Sequence, residues 1–222
     1  MRVLVVDIGG TNLKILATGH RTPRKVPSGD KMTPKKMVAA VKTLAAEWKY
    51  DVVAIGYPGR VRNRGVLMEP HNLGRGWVGF DFEKEFGCPV RIMNDAAMQA
   101  LGSYRRGLLL FLGLGTGLGA ALVSDGVVIP MELAHLSFRN GTYEDYLGAR
   151  ALNRLGRKKW QKYVEFGTAR MIEAVLPDDV VLGGGNAKKV KKLPKGVRLG
   201  KNAFAFAGGF RMWADPSSRR RT

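Results

Sequence analysis

The chain has 222 residues, enough for one large domain or two small ones with real cores. Its 45% hydrophobic and 25% charged residues suit a globular protein, and the single cysteine, Cys88, excludes an internal disulfide or a multi-cysteine zinc site. No apolar run reaches the roughly 20 residues of a membrane-spanning helix, and with a strand directly after Met1-Arg2 no signal peptide is expected, so the expected location is cytoplasmic. Thirty-seven Lys and Arg against 18 Asp and Glu give a formal charge of +19. Such a field draws polyanions, whether nucleic acid, an anionic membrane surface or polyphosphate, but a generally basic surface without any site would look the same.

The first predicted element is a hairpin from Val3 to Leu16, in which an apolar run ends at Asp7-Ile8-Gly9-Gly10-Thr11-Asn12 and resumes apolar. Residues 20–33, with Pro23 and Pro27, read as a loop or edge segment. Thr33-Pro34 opens a helix, Thr as cap and Pro in the first turn, with Met37, Val38, Val41, Leu44 and Ala45 at helical spacing toward Trp48. A buried strand over 51–56 stops at Tyr57-Pro58-Gly59, residues 61–72 are turn-rich, and 77–86 pass from loop into a short helix. A strand over 90–93 ends at Asn94-Asp95, and a helix follows from 96 to about 105.

The order then repeats. A second hairpin over 108–124 turns at Gly113-Leu114-Gly115-Thr116-Gly117, followed by an Asp125-Gly126 turn and a polar loop over 132–142. Helices are predicted over 143–155 and 158–176, and a strand over 180–182 ends in Gly183-Gly184-Gly185. A final helix is expected over 202–213, with a basic tail at 217–222. Alternating strands and helices indicate an α/β protein, and the hairpins make its sheets mixed.

Two strand–glycine–strand turns about a hundred residues apart point to a duplicated lobe with phosphate between the copies. Glycine allows a positive φ and a close approach, and successive N–H groups form an anion-binding concavity. A Rossmann turn would run into a helix, and no G-x-x-x-x-G-K-[ST] loop is present. Asp7 and Thr11 offer the oxygen ligands suited to phosphate and Mg2+. Asp95, at a strand–helix junction, is a candidate proton acceptor for phosphoryl transfer, in competition with a plain helix cap. Glu132 and His135 can hydrogen-bond sugar hydroxyls. Glu144 competes with simple complementation of a helix dipole.

Together these segments resemble the ROK family of sugar kinases, of the hexokinase/actin-like ATPase superfamily. Asp7–Thr11 is similar to the first phosphate motif and Gly115–Gly119 to the second; Asn94-Asp95-Ala96 is similar to the segment of the catalytic base. Glu132-Leu133-Ala134-His135 resembles the Glu-Leu-Gly-His sugar motif with Ala134 in place of Gly. Gly56–Val61 and Asn72-Leu73-Gly74 are similar to segments of the family's polyphosphate glucokinases. The zinc motif of many members is missing, so no zinc is expected. No DNA-binding helix-turn-helix precedes Val3, against the repressor branch, and the short chain suggests a reduced adenosine pocket.

The resemblance implies a two-lobed actin-like ATPase (ribonuclease H-like) fold with a ligand cleft between the lobes, residues 1–106 and 107–222. It implies phosphoryl transfer from polyphosphate or ATP, with Mg2+, to the 6-hydroxyl of glucose. Asp95 would be the base, and Asn94, Asp95, Glu132, His135 and Glu144 would bind the sugar. Asp7 (through water to Mg2+), Gly9, Gly10, Thr11, Asn12, Gly115, Thr116 and Gly117 would hold phosphate. Gly183, Gly184, Gly185, Lys188, Lys189 and Lys192 would line the donor side. Lys188, Lys189, Lys191, Lys192, Lys195, Arg198 and Lys201 form a run without an acid, and Arg157, Lys158, Lys159 and Lys162 form a second cluster; such rows could track polyphosphate or be solvated helix faces. Alternatives are an ATP-dependent kinase for mannose or an N-acetylated sugar, or a basic nucleic-acid-binding protein. The last lacks a recognisable module and has few aromatics among its basic runs, so no nucleic-acid partner and no membrane partner are expected; a homodimer is.

Overall fold

The computed structural model describes residues 1–62, 65–201 and 203–214. The described residues form two compact units, the first comprising Met1–Met98 and residues 205–214, the second Gln99–Phe204.

In the first unit, β1 (Val3–Ile8) and β2 (Asn12–Ala17) form the expected hairpin, and β3 (Arg24–Pro27) adds to its free edge. Pro27 ends that edge strand, where its missing N–H costs no ladder bond. Helix α1 (Pro34–Leu44) starts at Thr33, whose hydroxyl accepts the Lys36 N–H, and buries Met37, Val38 and Val41 against the sheet. Strand β4 (Val52–Tyr57) is buried along its whole length. The turn-rich stretch holds a small hairpin, β5 (Val61–Arg62) with β6 (Gly65–Val66). Helix α2 (Phe82–Phe86) ends at Gly87, and β7 (Val90–Asn94) leads directly into α3 (Asp95–Ser103).

The sheet order is β3-β2-β1-β4-β7, with β1, β4 and β7 parallel and the hairpin strands antiparallel. Apolar alternation along β1 and β2 sends Leu4, Val6, Ile8, Leu13 and Ile15 into one core with α1. Registers align Asp7 with Gly56, and Tyr57 with Asn94, so the ends of all three parallel strands lie at one edge.

The second unit repeats the pattern. Strands β8 (Leu108–Leu114) and β9 (Leu118–Ser124) form a hairpin, and β10 (Val127–Met131) extends it as an edge strand that the sequence reading left unassigned. A 3₁₀ turn over Leu133–His135 and the short hairpin of β11 (Ser137–Phe138) and β12 (Gly141–Thr142) occupy the expected polar loop.

The expected helix over 143–155 is divided. Helix α4 (Tyr143–Leu147) carries a Thr142–Asp145 capping box and stops at Gly148, and α5 (Ala149–Val175) then runs on with a kink at Gly156, whose φ is 71°. Strand β13 (Asp179–Gly183) and β14 (Val197–Leu199) complete an order of β10-β9-β8-β13-β14, with β8, β13 and β14 parallel. Both sheets thus have two antiparallel pairings beside two parallel ones, the duplication expected from the glycine turns.

Helix α6 (Ala203–Met212) packs on the first sheet, where a Cβ on Gly209 would overlap Val5. Beyond it, Trp213 donates its indole N–H to the Val53 carbonyl at 3.1 Å, and the Arg91 guanidinium lies 4.2 Å from the Trp213 ring. The tail at 217–222 and Asn202 lie outside the described residues.

Candidate active site

In the first unit, the C-terminal edge of the parallel strands gathers Asp7, the Gly9–Thr11 turn, Asn94 and Asp95, the usual ligand edge of an α/β sheet. The turn is braced by the Gly9 N–H on the Asn12 carbonyl at 3.0 Å and the Ser28 N–H on the Thr11 carbonyl at 3.0 Å. The Ser28 hydroxyl donates to the Gly9 carbonyl. Gly9 and Gly10 are not among the positive-φ glycines, so the expected left-handed bend is absent. Gly10 serves by close approach, since a Cβ there would stand 3.2 Å from the Asn72 Cβ. Ser28 was missed because its only signal is a polar residue just after an edge strand. Asn72 was noticed solely through family likeness.

Asp7 faces Lys14 across the hairpin, with Lys14 Nζ 3.3 Å from Asp7 Oδ2 and the Asp7 side chain only 13% exposed. Burial raises the Asp7 pKa and Lys14 opposes that rise. Asn94, not Asp95, caps α3. Its Oδ1 accepts the Ala97 N–H at 3.1 Å, while its Nδ2 donates to the Gly59 carbonyl at 3.1 Å. The Asp95 carboxyl is therefore free of the cap, and its Oδ1 accepts the adjoining Ala96 N–H at 2.8 Å. Burial first, and the nearby Asp7 charge second, push its pKa up to about 7.

In the second unit, the turn between β8 and β9 is closed by the Gly115 N–H on the Gly117 carbonyl at 3.1 Å. Gly115 and Gly117 also lack a positive φ. The Glu144 carboxylate lies on Gly117, where a Cβ would overlap Oε2, and Oε2 accepts the Leu118 N–H at 3.2 Å. The Thr116 carbonyl accepts the Ala149 N–H at 3.1 Å, joining the turn to the start of α5.

The turn after β13 packs behind it. Gly184 has a φ of 80°, and a side chain there would also strike the Leu114 backbone, two reasons for glycine at this position. Asn186, missed in the sequence, donates its Nδ2 to the Gly115 carbonyl and its backbone N–H to the Leu114 carbonyl, at 3.1 and 2.9 Å. Gly184 and Asn186 thus bring the turn after β13 against Leu114 and Gly115, with Gly183 paired to Gly113 in the sheet.

Glu132 is exposed just before the 3₁₀ turn and His135 is exposed at its end. Lys188 and Lys189 are exposed at a 3₁₀ turn, and Lys192 is exposed after it. The basic run is neither a helix nor an uninterrupted row of solvated cations. Arg198 sits in β14 with its guanidinium on Asp179 at 2.6 Å and on the Ser103 carbonyl at 2.7 Å.

A glycine turn at the first hairpin of each of two like five-stranded mixed sheets is the layout of the actin-like ATPase fold. The chain belongs to the ROK family, whose model matches residues 3–130. It is 27% identical over 210 residues to a polyphosphate glucokinase of Mycobacterium tuberculosis (strain CDC 1551 / Oshkosh), an alignment covering 84% of this chain and 78% of that one. It is 32% identical over 142 residues to an N-acetylmannosamine kinase of Citrobacter koseri, covering 57% of this chain and 49% of that one. Among solved structures, the inorganic polyphosphate/ATP-glucomannokinase from Arthrobacter sp. strain KM superposes with a TM-score of 0.80 at 23% identity, covering 94% of this chain and 96% of that one.

Proposed function

We propose that the protein is a glucokinase that transfers the terminal phosphoryl group of polyphosphate or ATP to the 6-hydroxyl of glucose. The observation that carries this reading is the Asp95 carboxyl, free of the helix cap and held at a pKa of about 7 beside a phosphate-type turn. A base of that strength is half ionised at neutral pH and takes a hydroxyl proton more readily than an ordinary carboxylate. As the sugar oxygen attacks the terminal phosphorus, its proton passes to Asp95, and the bridging oxygen leaves with the shortened donor.

Asn94, Glu132, His135 and Glu144 orient the sugar in this reading. Asn94 keeps one Nδ2 hydrogen beyond its bond to Gly59. The backbone N–H groups of the two glycine turns receive the phosphates. Mg2+, when bound, neutralises charge on the phosphate oxygens. Asp7 would hold it through water, and a single carboxylate with one oxygen on Lys14 suits a cation that keeps most of its own waters.

The name of the M. tuberculosis relative supports both polyphosphate and glucose, and that of the Arthrobacter enzyme supports either donor. The exposed Lys188, Lys189 and Lys192 follow the Gly183–Gly185 turn and form the donor side. A second reading, ATP-dependent phosphorylation of an N-acetylated hexose, is favoured by the C. koseri relative. Steady-state turnover of glucose, mannose and N-acetylmannosamine with each donor separates them. Turnover of glucose with polyphosphate or ATP is expected; turnover of N-acetylmannosamine alone would replace the first reading with the second.

A further inference from the structure

Helix α5 carries a surface that has no role in the proposed transfer. Leu155, Lys158, Lys159, Lys162, Tyr163 and Phe166 recur at helical spacing on its outer side and, with Arg139 from the β11–β12 hairpin, line a groove of about 490 Å³. Basic and aromatic residues that look scattered along the chain therefore share one face. Trp160 and Val164 lie on the opposite, buried face, and Gln161 turns aside to accept the Lys191 N–H at 3.0 Å.

The floor of the groove is aromatic. Phe166 is 45% exposed, and its ring lies 5.8 Å from that of Phe138; the Tyr163 ring lies 4.9 Å from that of Tyr146. Arg139 holds a left-handed φ of 55° and sets its guanidinium 5.1 Å from the Tyr163 ring and 5.5 Å from the Phe166 ring. The Arg170 guanidinium lies 5.9 Å from the Phe166 ring. Lys158, Lys159 and Lys162 are exposed, and none forms an ion pair among the described residues. Glu165, the acid nearest in sequence, accepts a hydrogen bond from Gln161 instead.

From these features we propose that the outer face of α5 binds single-stranded nucleic acid, with bases stacked on Phe166, Tyr163 and the Arg139 plane and phosphates on Lys158, Lys159, Lys162 and Arg170. The stripe from Lys158 to Arg170 is about 18 Å long at the helical rise per residue, an open track and not a closed pocket. Cations beside exposed rings are the combination that binds single strands without reading sequence. A second copy of the chain is a poor occupant, because the two cationic faces would repel. Polyphosphate would use the lysines yet gain nothing from the rings, whereas an anionic membrane would use both and is the rival that competition by vesicles separates from a single strand.

Fluorescence anisotropy with a labelled oligothymidylate and the full-length protein tests this. Competition uses long-chain polyphosphate, an abasic oligomer of the same length, and phosphatidylserine vesicles. Phe166→Ala is expected to weaken oligonucleotide binding by about tenfold while leaving polyphosphate binding and sugar-kinase turnover unchanged. Lys158→Glu with Lys162→Glu is expected to reduce the slope of log affinity against log salt by about 1.4. The same charge change at Lys35 and Lys36 on α1 is expected to leave the slope nearly intact. The proposal is overturned if the oligonucleotide does not bind, if the abasic oligomer or the vesicles compete as well as the oligonucleotide, or if Phe166→Ala binds like the parent. Retained turnover in Phe166→Ala excludes misfolding as the cause of lost binding.

Discussion

Lys14 stands directly across the β1–β2 hairpin from Asp7, its Nζ 3.3 Å from Oδ2. Burial favours a proton on Asp7, and Lys14 is the charge that resists it. Lys14→Met should therefore let Asp7 protonate at higher pH than in the parent. In the proposed mechanism this raises the Mg2+ concentration for half-maximal turnover by several-fold, most strongly at the acid end of the pH range. Mg2+ titrations at three pH values check it; an unchanged requirement would separate Asp7 from the metal.

The raised Asp95 pKa has two consequences of opposite sign. Activity needs the ionised form, so kcat/KM for the sugar should climb with pH through about 7. Stability runs the other way. The contribution of Asp95 is fully present below about 4, its unfolded value, and is lost as pH rises through the folded value. Asp95→Asn should lower kcat by about 10²- to 10⁴-fold with sugar affinity retained, and should gain more thermal stability at pH 8 than at pH 5. Asp7→Asn should move the acid limb of the Asp95 profile downward, though burial, the larger cause, keeps it above the usual carboxylate range.

Gly117 and Glu144 should behave as one unit. Gly117→Ala drives a methyl group into the Glu144 carboxylate and should lower kcat/KM at least tenfold, an effect of more than about 1.4 kcal/mol. Glu144→Ala alone should also be impaired. Because each change disturbs the same contact, the double variant should lose much less than the sum, which a double-mutant cycle measures.

The basic run divides into two kinds of cation. Lys188→Glu with Lys192→Glu should raise the KM for polyphosphate several-fold and flatten its dependence on salt, with ATP turnover little changed. Arg198→Met should instead cost stability, by about 2 kcal/mol, because it leaves Asp179 and the Ser103 carbonyl without their partner. Polyphosphate kinetics and thermal melts on the two variants should give these opposite patterns.

Both hairpins with their glycine turns were legible because the apolar alternation is strong and interrupted at one place. Strand β10 was not, since Pro130 and the nearby turn suggest loop; at the sheet edge the missing N–H is harmless. Strand β14 was hidden inside lysines, where three residues gain their strand character from pairing with β13 and not from composition. The break at Gly148 was read through because the apolar spacing of α4 and α5 runs on past it. Within the site, neighbouring Asn94 and Asp95 were both visible as polar residues at a strand end. Which one caps the helix depends on the backbone angle at the junction, and that decides which carboxyl remains for chemistry. Ser28 and Asn186 act through single bonds to turn carbonyls, contacts that no spacing announces.

The packing of α6 and Trp213 on β1 and β4 makes the first unit discontinuous along the chain, with more than a hundred residues inserted before its last helix. During synthesis the β1–β7 sheet emerges early, with Val5 and the Val53 backbone uncovered until that helix follows. Contacts of such long sequence separation form late and slowly, so the nascent first unit is the stretch of this polypeptide most in need of a chaperone's cover.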